Sequence, residues 1–508
     1  MKFLLLLILP ITLTAQTVKD SLPVTKTLNG TVSGIFNSDK TIAVYKGVPF
    51  ASPPVGDLRW KNPEPVKPWN GTLACNKFPA SPIQNKPVPF MMWSQEFITP
   101  PEPLSEDCLY LNIWTSKSTS EKKPVFVWIH GGAFNSGSGA CPIYDGEALA
   151  REGIVFVSIN YRLGIFGFLA HPELTAESKQ HASGNYGMLD QIAALQWIKD
   201  NITAFGGDPN KVTIAGQSAG SMSVQVLVAS PLTKGLFRSA IAQSGASFSR
   251  LSRSREDGEK VGLALSQKSG NLKVLRALSA DSILALGNSF PFGSFFPIID
   301  GYTLPQDMKT IFETKKHNDV TLMAGWVMGD GALASGPPQT KSDFLAFAER
   351  TYGNKKDEFI KLFPAGSDEE TLQSQTKLGL MHFACVPDRQ WALYNTSKSY
   401  LYQFKHVPID KPGFPNYGAF HTSEVPYALH TLKYWDRQWT DTDYHVEKYM
   451  SAYWINFIKT GNPNGKGLTE WKPYDKEGQS IIEFDTKPVL KSGLYKDEFQ
   501  FFDSVGVK

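Results

Sequence analysis

Residues 213–223 read TIAGQSAGSMS, in which a β-branched apolar run passes into Gly-x-Ser-x-Gly and then into small residues. A strand that reverses into a helix within one residue holds Ser218 in a strained backbone, which only small neighbours at Gly216 and Gly220 allow. The turn lifts the hydroxyl clear of the sheet at a helix N-terminus, where backbone N–H groups favour negative charge. The pattern predicts a nucleophilic serine. The alternative is a serine in an ordinary glycine-rich turn.

A second motif lies upstream, at the end of another predicted strand. Residues 125–129 read VFVWI, and HGGAF follows at 130–134. A glycine pair at this place is typical of a loop whose backbone donors bind a tetrahedral oxyanion. Because each motif supplies what the other needs, the two together favour a site for acyl transfer.

Further sequence blocks accompany the two motifs. They read YKGVPFA at 45–51, LRW at 58–60, SEDCLYLN at 105–112, NYRLG at 160–164, GNYGMLDQ at 184–191 and FGGDP at 205–209. With these blocks the chain resembles the type-B carboxylesterase family of α/β-hydrolases from about Gly34 to Tyr474. That family also contains the cholinesterases, bacterial para-nitrobenzyl esterases and the non-catalytic neuroligins. The resemblance implies an α/β-hydrolase fold, with a large, mostly parallel central β-sheet flanked by helices and with helical insertions roofing the active site.

Hydrophobic patterning independently favours the α/β class. Apolar strand-like runs at 125–129, 154–159, 212–215 and 239–242 alternate with a helix at about 191–201 and another after Ser218. This alternation is typical of a parallel sheet wrapped by helices. Residues from about 250 to 390 are more helical and poorer in motifs, which fits a segment that shapes the entrance to a site.

Length and composition predict one large domain behind a leader. The 508 residues are 42% hydrophobic and 19% charged, without repeats or linker-like segments. Residues 1–15 combine a charged start, an apolar run and Ala15 before a polar residue, which predicts a cleaved signal peptide and a secreted or periplasmic protein. A membrane anchor is the alternative, but the apolar run is shorter than the roughly 20 residues of a span. Residues 16–508 are then a single catalytic domain.

Charge and metal-ligand patterns exclude several other functions. A net charge of +3 is too small an excess to predict nucleic-acid or acidic-membrane binding. No Cys/His spacing predicts a metal site, and the expected chemistry needs no cofactor. The cysteines fit an exported protein: Cys75 and Cys108 flank a loop that the family resemblance predicts to be closed by a disulfide. Cys141 and Cys385 are either buried free thiols or a second bridge.

A serine hydroxyl needs a base, and the base needs an acid that fixes its tautomer. In this fold both follow the serine in the order acid, then histidine. His421 lies in GAFHTSE at 418–424, which is similar to the family's Gly-Ala-x-His-x-x-Glu, and is the predicted base. The other histidines lack such a context.

The predicted acid departs from the family pattern. After the predicted strand at 320–324 the family commonly has Gly-x-Asn-x-Asp-Glu-Gly, whereas this chain has GWVMGDG at 325–331. Asp330 then stands at the Glu position with a side chain one methylene shorter, so the local backbone must approach His421 more closely. Gly329 and Gly331 are expected to permit that approach. The alternative is that Asp330 is an exposed turn residue and the acid lies elsewhere.

The resemblance also assigns supporting residues. It predicts an oxyanion hole formed by the N–H groups of Gly132, Ala133 and Ala219. Charged residues inside the motif blocks are expected to form structural ion pairs rather than to act in catalysis. The two expected pairs are Arg59 with Glu106 and Arg162 with Asp190.

Substrate-facing residues follow from the same resemblance. Phe290, Phe292 and Phe295 match the stretch that forms the family's acyl pocket, and Trp93 lies in the loop between Cys75 and Cys108. Ordinary core packing is the alternative for each of these aromatic residues. Gln217 replaces the Glu that usually precedes the serine, so we expect no preference for cationic esters.

These residues together predict a secreted serine carboxylesterase that acts on small neutral carboxylic esters through a Ser218–His421–Asp330 triad and an acyl-enzyme. A triacylglycerol lipase and a non-catalytic, neuroligin-like binding module are the alternatives. Retention of Ser218 and His421 argues against the binding module. The oligomeric state and the natural ester do not follow from the sequence.

Overall fold

The computed structural model describes residues 22–117 and 121–506, and a large mixed β-sheet forms its centre. The predicted signal peptide at 1–15 lies outside the described residues. The strands are β1 (Val24–Lys26), β2 (Thr31–Ser33), β3 (Ile35–Phe36), β4 (Ile42–Pro49), β5 (Thr72–Ala74), β6 (Ser81–Pro82), β7 (Leu104–Ser105), β8 (Tyr110–Ser116), β9 (Lys123–Ile129), β10 (Val155–Ile159), β11 (Gly207–Gln217), β12 (Ser239–Gln243), β13 (Thr321–Val327), β14 (Ser399–Phe404), β15 (Ser480–Phe484) and β16 (Pro488–Ser492).

Eleven of these strands form the central sheet in the order β16-β15-β14-β13-β12-β11-β9-β10-β8-β4-β3. The strands from β10 across to β15 are parallel, whereas β16 at one edge and β8, β4 and β3 at the other pair antiparallel. Strands β1, β2 and β5 form a separate small sheet, and β6 pairs with β7. The predicted α/β class with a mostly parallel central sheet is confirmed.

Both faces of the sheet are buried, which explains the uninterrupted apolar strands. Along β9, Val125, Val127 and Ile129 face one hydrophobic core while Phe126 and Trp128 face the other. Period-two alternation therefore divides one apolar run between two cores, as expected for a parallel sheet covered by helices on both sides.

Helices cover both faces and fill the connections. They are α1 (Glu147–Arg151), α2 (Gly164–Phe168), α3 (Pro172–Glu177), α4 (Tyr186–Asn201), α5 (Ala219–Ala229), α6 (Arg255–Ser269), α7 (Leu272–Ala277), α8 (Ala280–Asn288), α9 (Met308–Glu313), α10 (Asp330–Ala334), α11 (Lys341–Tyr352), α12 (Lys356–Leu362), α13 (Asp368–Leu380), α14 (Val386–Tyr394), α15 (Val425–Leu429), α16 (Asp441–Thr460) and α17 (Lys496–Val505). Short 3₁₀ turns occur at Gly56–Leu58, Gln95–Phe97, Pro142–Tyr144, Ile202–Phe205, Pro231–Thr233, Gly353–Lys355 and Leu432–Tyr434, and a π-helical turn spans Met381–Cys385. Within the described ranges, none of the helices has the length and apolar character of a membrane span.

The sheet brings distant parts of the chain to one edge. Strand β11 ends at Gln217, directly before Ser218, and β13 ends three residues before Asp330. The long connection that leaves β14 carries His421. Because these strands are parallel, their carboxyl ends meet at one edge of the sheet, where ligands bind in open α/β folds. This topology makes the carboxyl edge the candidate site.

The predicted Cys75–Cys108 disulfide is not formed, because all four cysteines are free, buried thiols. The Cys75 thiol donates to the Gly47 carbonyl at 3.7 Å, whereas Cys108 is fully buried near Arg162 and Asp190. Burial raises the pKa of Cys75 to about 12 and that of Cys108 well above its ordinary value. Thiols in such surroundings stay protonated, and disulfide formation proceeds through a thiolate.

Candidate active site

Ser218 occupies a sharp turn between β11 and α5 with φ 59° and ψ −123°. An L-residue rarely adopts this conformation, and such strain is concentrated at functional sites. A Cβ at Gly216 would lie 2.4 Å from the backbone of Gly220, and one at Gly220 would lie 2.1 Å from the Ile129 carbonyl oxygen. The two glycines are therefore required by close packing. Ser218 itself is half-buried, so its hydroxyl is accessible to a ligand.

The loop at 130–134 packs directly against this turn. A Cβ at Gly131 would lie 2.6 Å from the Gln217 carbonyl oxygen and 3.2 Å from the Ser218 Cβ. Gly132, Ala133 and Phe134 all have positive φ. Within the described residues, the N–H groups of Gly132, Ala133 and Ala219 donate to no protein acceptor. The three predicted oxyanion donors are thus free to bind a ligand.

The His130 side chain stabilises the loop at 130–134 through contacts with the backbone and with Tyr161. Its Nδ1 lies 2.8 Å from the Gly131 carbonyl oxygen, and its ring stacks on Tyr161 at 4.4 Å. The Tyr161 hydroxyl donates to the His130 carbonyl oxygen at 2.9 Å. Burial lowers the pKa of His130 to about 4, so the ring is neutral at pH 7 and donates through Nδ1. This network fixes the direction of the loop's backbone.

His421 and Asp330 form a buried hydrogen-bonded pair. His421 Nδ1 lies 2.5 Å from Asp330 Oδ1, and the Val327 N–H donates to Oδ2 at 3.0 Å. A carboxylate only accepts hydrogen bonds, so Nδ1 carries the proton and Nε2 has the lone pair. The structure therefore brings together the predicted base and acid. The alternative of an exposed turn at Asp330 is wrong, because that side chain is fully buried.

Close backbone approach compensates for the short Asp330 side chain. Gly329 donates to the Ala419 carbonyl oxygen at 2.7 Å, and a Cβ at Gly329 would lie 2.4 Å from that oxygen. A Cβ at Gly331 would lie 2.3 Å from the Thr376 carbonyl oxygen. Neither glycine has a positive φ. The two glycines therefore allow the close approach because they have no side chain, and not because they adopt a conformation that only glycine tolerates.

Gln217 contacts the free nitrogen of His421. The Gln217 amide nitrogen lies 3.0 Å from His421 Nε2, and its amide oxygen accepts from the Thr422 hydroxyl at 3.3 Å. Among the hydrogen bonds of the described residues, Ser218 Oγ has no partner, so the base contacts the neighbour of the serine. Trp93 donates from Nε1 to Thr422 at 3.2 Å, and its ring meets the His421 imidazole edge-on at 6.4 Å. Gln217 and Trp93 therefore both lie close to His421, and their role in binding the substrate stays a prediction.

Sequence reasoning missed Phe383 and the burial of Glu424. Phe383 lies in the π-helical turn Met381–Cys385, and its ring meets His421 at 5.6 Å. Glu424 is fully buried, where Gln243 donates to it at 3.1 Å. Burial and then repulsion from Asp330 raise the pKa of Glu424 to about 8. Phe383 lies in no sequence motif that would mark it as part of a site. The apolar residues next to Glu424 in the sequence are a signal for the burial of that side chain.

The three predicted acyl-pocket aromatics line a separate cavity of about 300 Å³. Phe290, Phe292 and Phe295 share it with Asn135, which directly follows the loop at 130–134, and with residues of α2 and α8. Phe292 is 80% exposed, so ordinary core packing does not explain it, whereas Phe295 is buried. Neither Ser218 nor His421 is among the lining residues.

The charged residues of the motif blocks form the expected structural pairs. Arg162 donates to Asp190 at 2.8 and 2.7 Å, and both side chains are buried. Arg59 donates to Glu106 at 2.7 and 2.5 Å, again with little exposure. Arg59 also donates to the Leu278 carbonyl oxygen at 2.8 Å, and Arg162 donates to the Lys61 carbonyl oxygen at 2.9 Å, so both arginines connect backbone segments. No group of His, Cys, Asp and Glu side chains within the described residues could hold a metal ion.

Comparison with known proteins agrees with this geometry. The family model described as "Carboxylesterase family" matches residues 21–502. The chain is 33% identical to a fumonisin B1 esterase of Sphingopyxis macrogoltabida, covering 92% of this chain and 87% of that protein. It is 32% identical to a para-nitrobenzyl esterase of Bacillus subtilis (strain 168), covering 94% and 98%. It is 32% identical to a cocaine esterase of Homo sapiens, covering 94% and 91%. A solved PNB esterase structure superposes with a TM-score of 0.82 at 30% identity, covering 95% of this chain and 99% of that chain.

Proposed function

The chain belongs to the carboxylesterase family and is a carboxylic ester hydrolase, and on that premise we propose that it acts through a Ser218–His421–Asp330 triad and an acyl-enzyme. The observation that carries the proposal is the buried 2.5 Å hydrogen bond between His421 and Asp330 beside the strained turn at Ser218. A base oriented by an acid, next to a serine at a helix N-terminus, is the arrangement that activates a hydroxyl.

The reaction proceeds in two halves. Ser218 Oγ attacks the ester carbonyl carbon while His421 Nε2, released from the Gln217 amide, takes the hydroxyl proton. The bond to the alcohol oxygen then breaks, and the alcohol leaves with that proton. Water attacks the acyl-enzyme by the same route, which releases the carboxylic acid and restores Ser218.

The oxyanion of each tetrahedral intermediate binds to the amides of Gly132, Ala133 and Ala219. Their lack of a protein acceptor supports this assignment. Each such donor contributes about 3 kcal/mol to the transition state. His130 keeps the loop in place. Because its ring is neutral, it adds no positive charge that would draw the oxyanion away from the amides.

The proposed substrates are small esters without a cationic group, because position 217 carries an amide. The proposed protein is secreted or periplasmic, with a leader at 1–15 and one catalytic domain at 16–508. The retained serine and histidine fit an enzyme and not a neuroligin-like binding module.

Triacylglycerol lipase activity is a second candidate, favoured by exposed apolar side chains beside the site. Val88, Phe90 and Met91 are each more than half exposed, and the Phe90 ring packs on Trp93 at 4.8 Å. An acyl-chain series of p-nitrophenyl esters separates the two functions. Preference for long chains together with activation at an oil surface would identify a lipase.

The direct test of the proposal is covalent labelling. A fluorophosphonate probe should react with one residue, Ser218, and peptide mapping should find the adduct there. A p-nitrophenyl butyrate assay should show a burst equal to the enzyme concentration if deacylation is slower than acylation. Labelling at another residue would contradict the triad while leaving the family assignment intact.

Gln217→Glu is expected to move the acidic limb of the kcat/KM profile to higher pH. A carboxylate 3 Å from Nε2, where the Gln217 amide now lies, would stabilise the protonated imidazole, so the active neutral form would appear only at higher pH. Turnover of a quaternary-ammonium ester should improve relative to a neutral ester of the same size. The measurement is a pH–rate profile with both esters.

Gln217→Ala is the matched control for this change. It removes the amide that contacts Nε2 but adds no charge, so the acidic limb and the substrate ratio should stay close to those of the wild type. If Gln217→Glu also left both unchanged, position 217 would not act on the base.

A further inference from the structure

We propose that Arg250 binds a carboxylate of the substrate, so that the preferred esters carry a free carboxylate near the bond that is cleaved. The inference deepens the proposed function and rests on it, because the site at His421 defines where the ester must lie. Simple neutral esters remain substrates, but an anionic ester gains an additional interaction.

Arg250 lies at the carboxyl edge of the sheet. It follows β12, whose neighbours β11 and β13 lead to Ser218 and Asp330. The Arg250 guanidinium carbon is 4.4 Å from the centre of the Phe383 ring, and the same ring meets the His421 imidazole at 5.6 Å. Phe383 thus contacts both the guanidinium and the proposed base, which places the cation one ring away from the reacting groups.

The guanidinium is available to a ligand. Within the described residues it forms no hydrogen bond or ion pair with protein, although it carries five N–H donors. The side chain is exposed to solvent, yet desolvation by the surrounding protein lowers the pKa of Arg250 while Asp330 acts to raise it. The side chain is exposed and packs on Phe383, so a ligand that lies beside His421 can reach its guanidinium.

Within the described residues, the neighbouring titratable groups form no ion pair with Arg250, although Asp330 acts on it through its charge. Asp330 already accepts from His421 and Val327. Burial raises the pKa of Glu424 to about 8, so this carboxyl is largely protonated at pH 7, and burial also raises the pKa of Asp388 well above its usual range. Burial, reinforced by repulsion from Arg250, lowers the pKa of His382, which is therefore neutral.

The two nearby arginines differ from Arg250. Arg253 donates to the Ser294 carbonyl oxygen at 2.8 Å. Arg255 donates to the His181 carbonyl oxygen at 3.0 Å and pairs with two glutamates of α6. Among these three arginines, only the guanidinium of Arg250 has no such partner.

A guanidinium matches a carboxylate through two parallel N–H···O bonds, which also fix its orientation. An ester bound at Ser218 would present such a group if its acid or its alcohol carried a second carboxyl. Half esters of short dicarboxylic acids have this chemistry on the acid side. Esters of hydroxybenzoates have it on the alcohol side.

The test compares two matched pairs of esters. One pair is p-nitrophenyl hemiglutarate and its methyl ester, and the other is 4-acetoxybenzoate and its methyl ester. The wild type should prefer the anionic member of at least one pair by about tenfold or more in kcat/KM. Absence of a preference in both pairs would overturn the inference, whether or not any variant folds.

Substitution then assigns the preference to one side chain. Arg250→Gln should lower the anionic-to-neutral ratio by about 10- to 100-fold. Arg250→Lys should retain part of it, because lysine keeps the charge but loses the planar fork. Arg255→Gln makes the same charge change in the same segment and should leave the ratio unchanged.

Two further outcomes separate this inference from the proposed function. If Arg250→Gln changed the pH profile equally for both esters and left their ratio constant, Arg250 would only balance the charge of Asp330 and the inference would be wrong. If neither ester were hydrolysed and the phosphonate probe failed to label Ser218, the proposed triad would fail instead.

Discussion

Replacing Ser218 with alanine is expected to lower kcat for p-nitrophenyl esters by about 10⁶-fold. The change removes the proposed attacking oxygen and nothing else, since alanine keeps the Cβ and with it the strained backbone of the turn. The oxyanion donors and the His421–Asp330 pair remain, so residual turnover should reflect water attack alone. The measurement is kcat by stopped assay at high enzyme concentration, with circular dichroism to show that the fold persists.

Ser221→Ala is the matched control for this prediction. Ser221 lies three residues further along, on α5, and its buried hydroxyl has no hydrogen-bond partner within the described residues. Removing that hydroxyl should leave kcat within a few-fold of wild type. If Ser218→Ala retained a tenth of the wild-type rate, or still reacted with the phosphonate probe, the nucleophile would be another residue.

Local sequence patterns predicted the centre of the fold well and the ends of its elements less well. The run at 125–129 lies inside β9, but β11 begins at Gly207 rather than near Val212. Residues 207–211, GDPNK, favour a turn by composition. Pairing of Gly207 with Lys123, across a register shift, nevertheless extends the strand. Tertiary pairing thus overrides local preference at this end.

The residues of the candidate site also fall into two groups: those that a local motif predicts and those that only the fold reveals. Ser218, His421 and Asp330 could be predicted because each lies in a contiguous motif. Phe383 and Arg250 could not, because their relation to His421 arises only when α13, α14 and the chain after β12 pack at one edge of the sheet. No pattern within a short window encodes these contacts, because Phe383 lies 38 positions from His421 and 133 positions from Arg250.

The family resemblance misled in one respect. The resemblance predicts a disulfide between Cys75 and Cys108, but it carries no information about the surroundings of these two thiols in this chain. Burial keeps both thiols protonated. The loop between the two cysteines is instead held by a hydrogen bond in which Trp93 donates to Thr422. One hydrogen bond there connects the loop to the residue next to the proposed base.

Asp330→Asn is expected to lower kcat by about 10⁴-fold with little loss of stability. The Val327 N–H donates to Oδ2 of Asp330 at 3.0 Å, so the asparagine must present its amide oxygen to this donor. Its NH₂ group then faces His421 Nδ1, which has to become an acceptor. The imidazole proton moves to Nε2, and the nitrogen that should take the Ser218 proton can no longer do so. A pre-steady-state assay should find acylation itself slowed.

Glu424→Gln is the control that assigns the acid, because Glu424 is also buried and lies near His421. With its pKa raised to about 8, Glu424 is already protonated at pH 7, so an uncharged amide of the same size should keep kcat within about threefold. Because the carboxyl pKa is about 8 in the fold and close to its ordinary value of 4.5 in the unfolded chain, its contribution to stability is fully present below about pH 4.5 and falls progressively as the pH rises to about 8. The wild type should therefore lose stability relative to Glu424→Gln over this range, measured by urea unfolding. If Glu424→Gln were as inactive as Asp330→Asn, or if Asp330→Asn kept a tenth of the activity, Asp330 would not be the acid that orients His421.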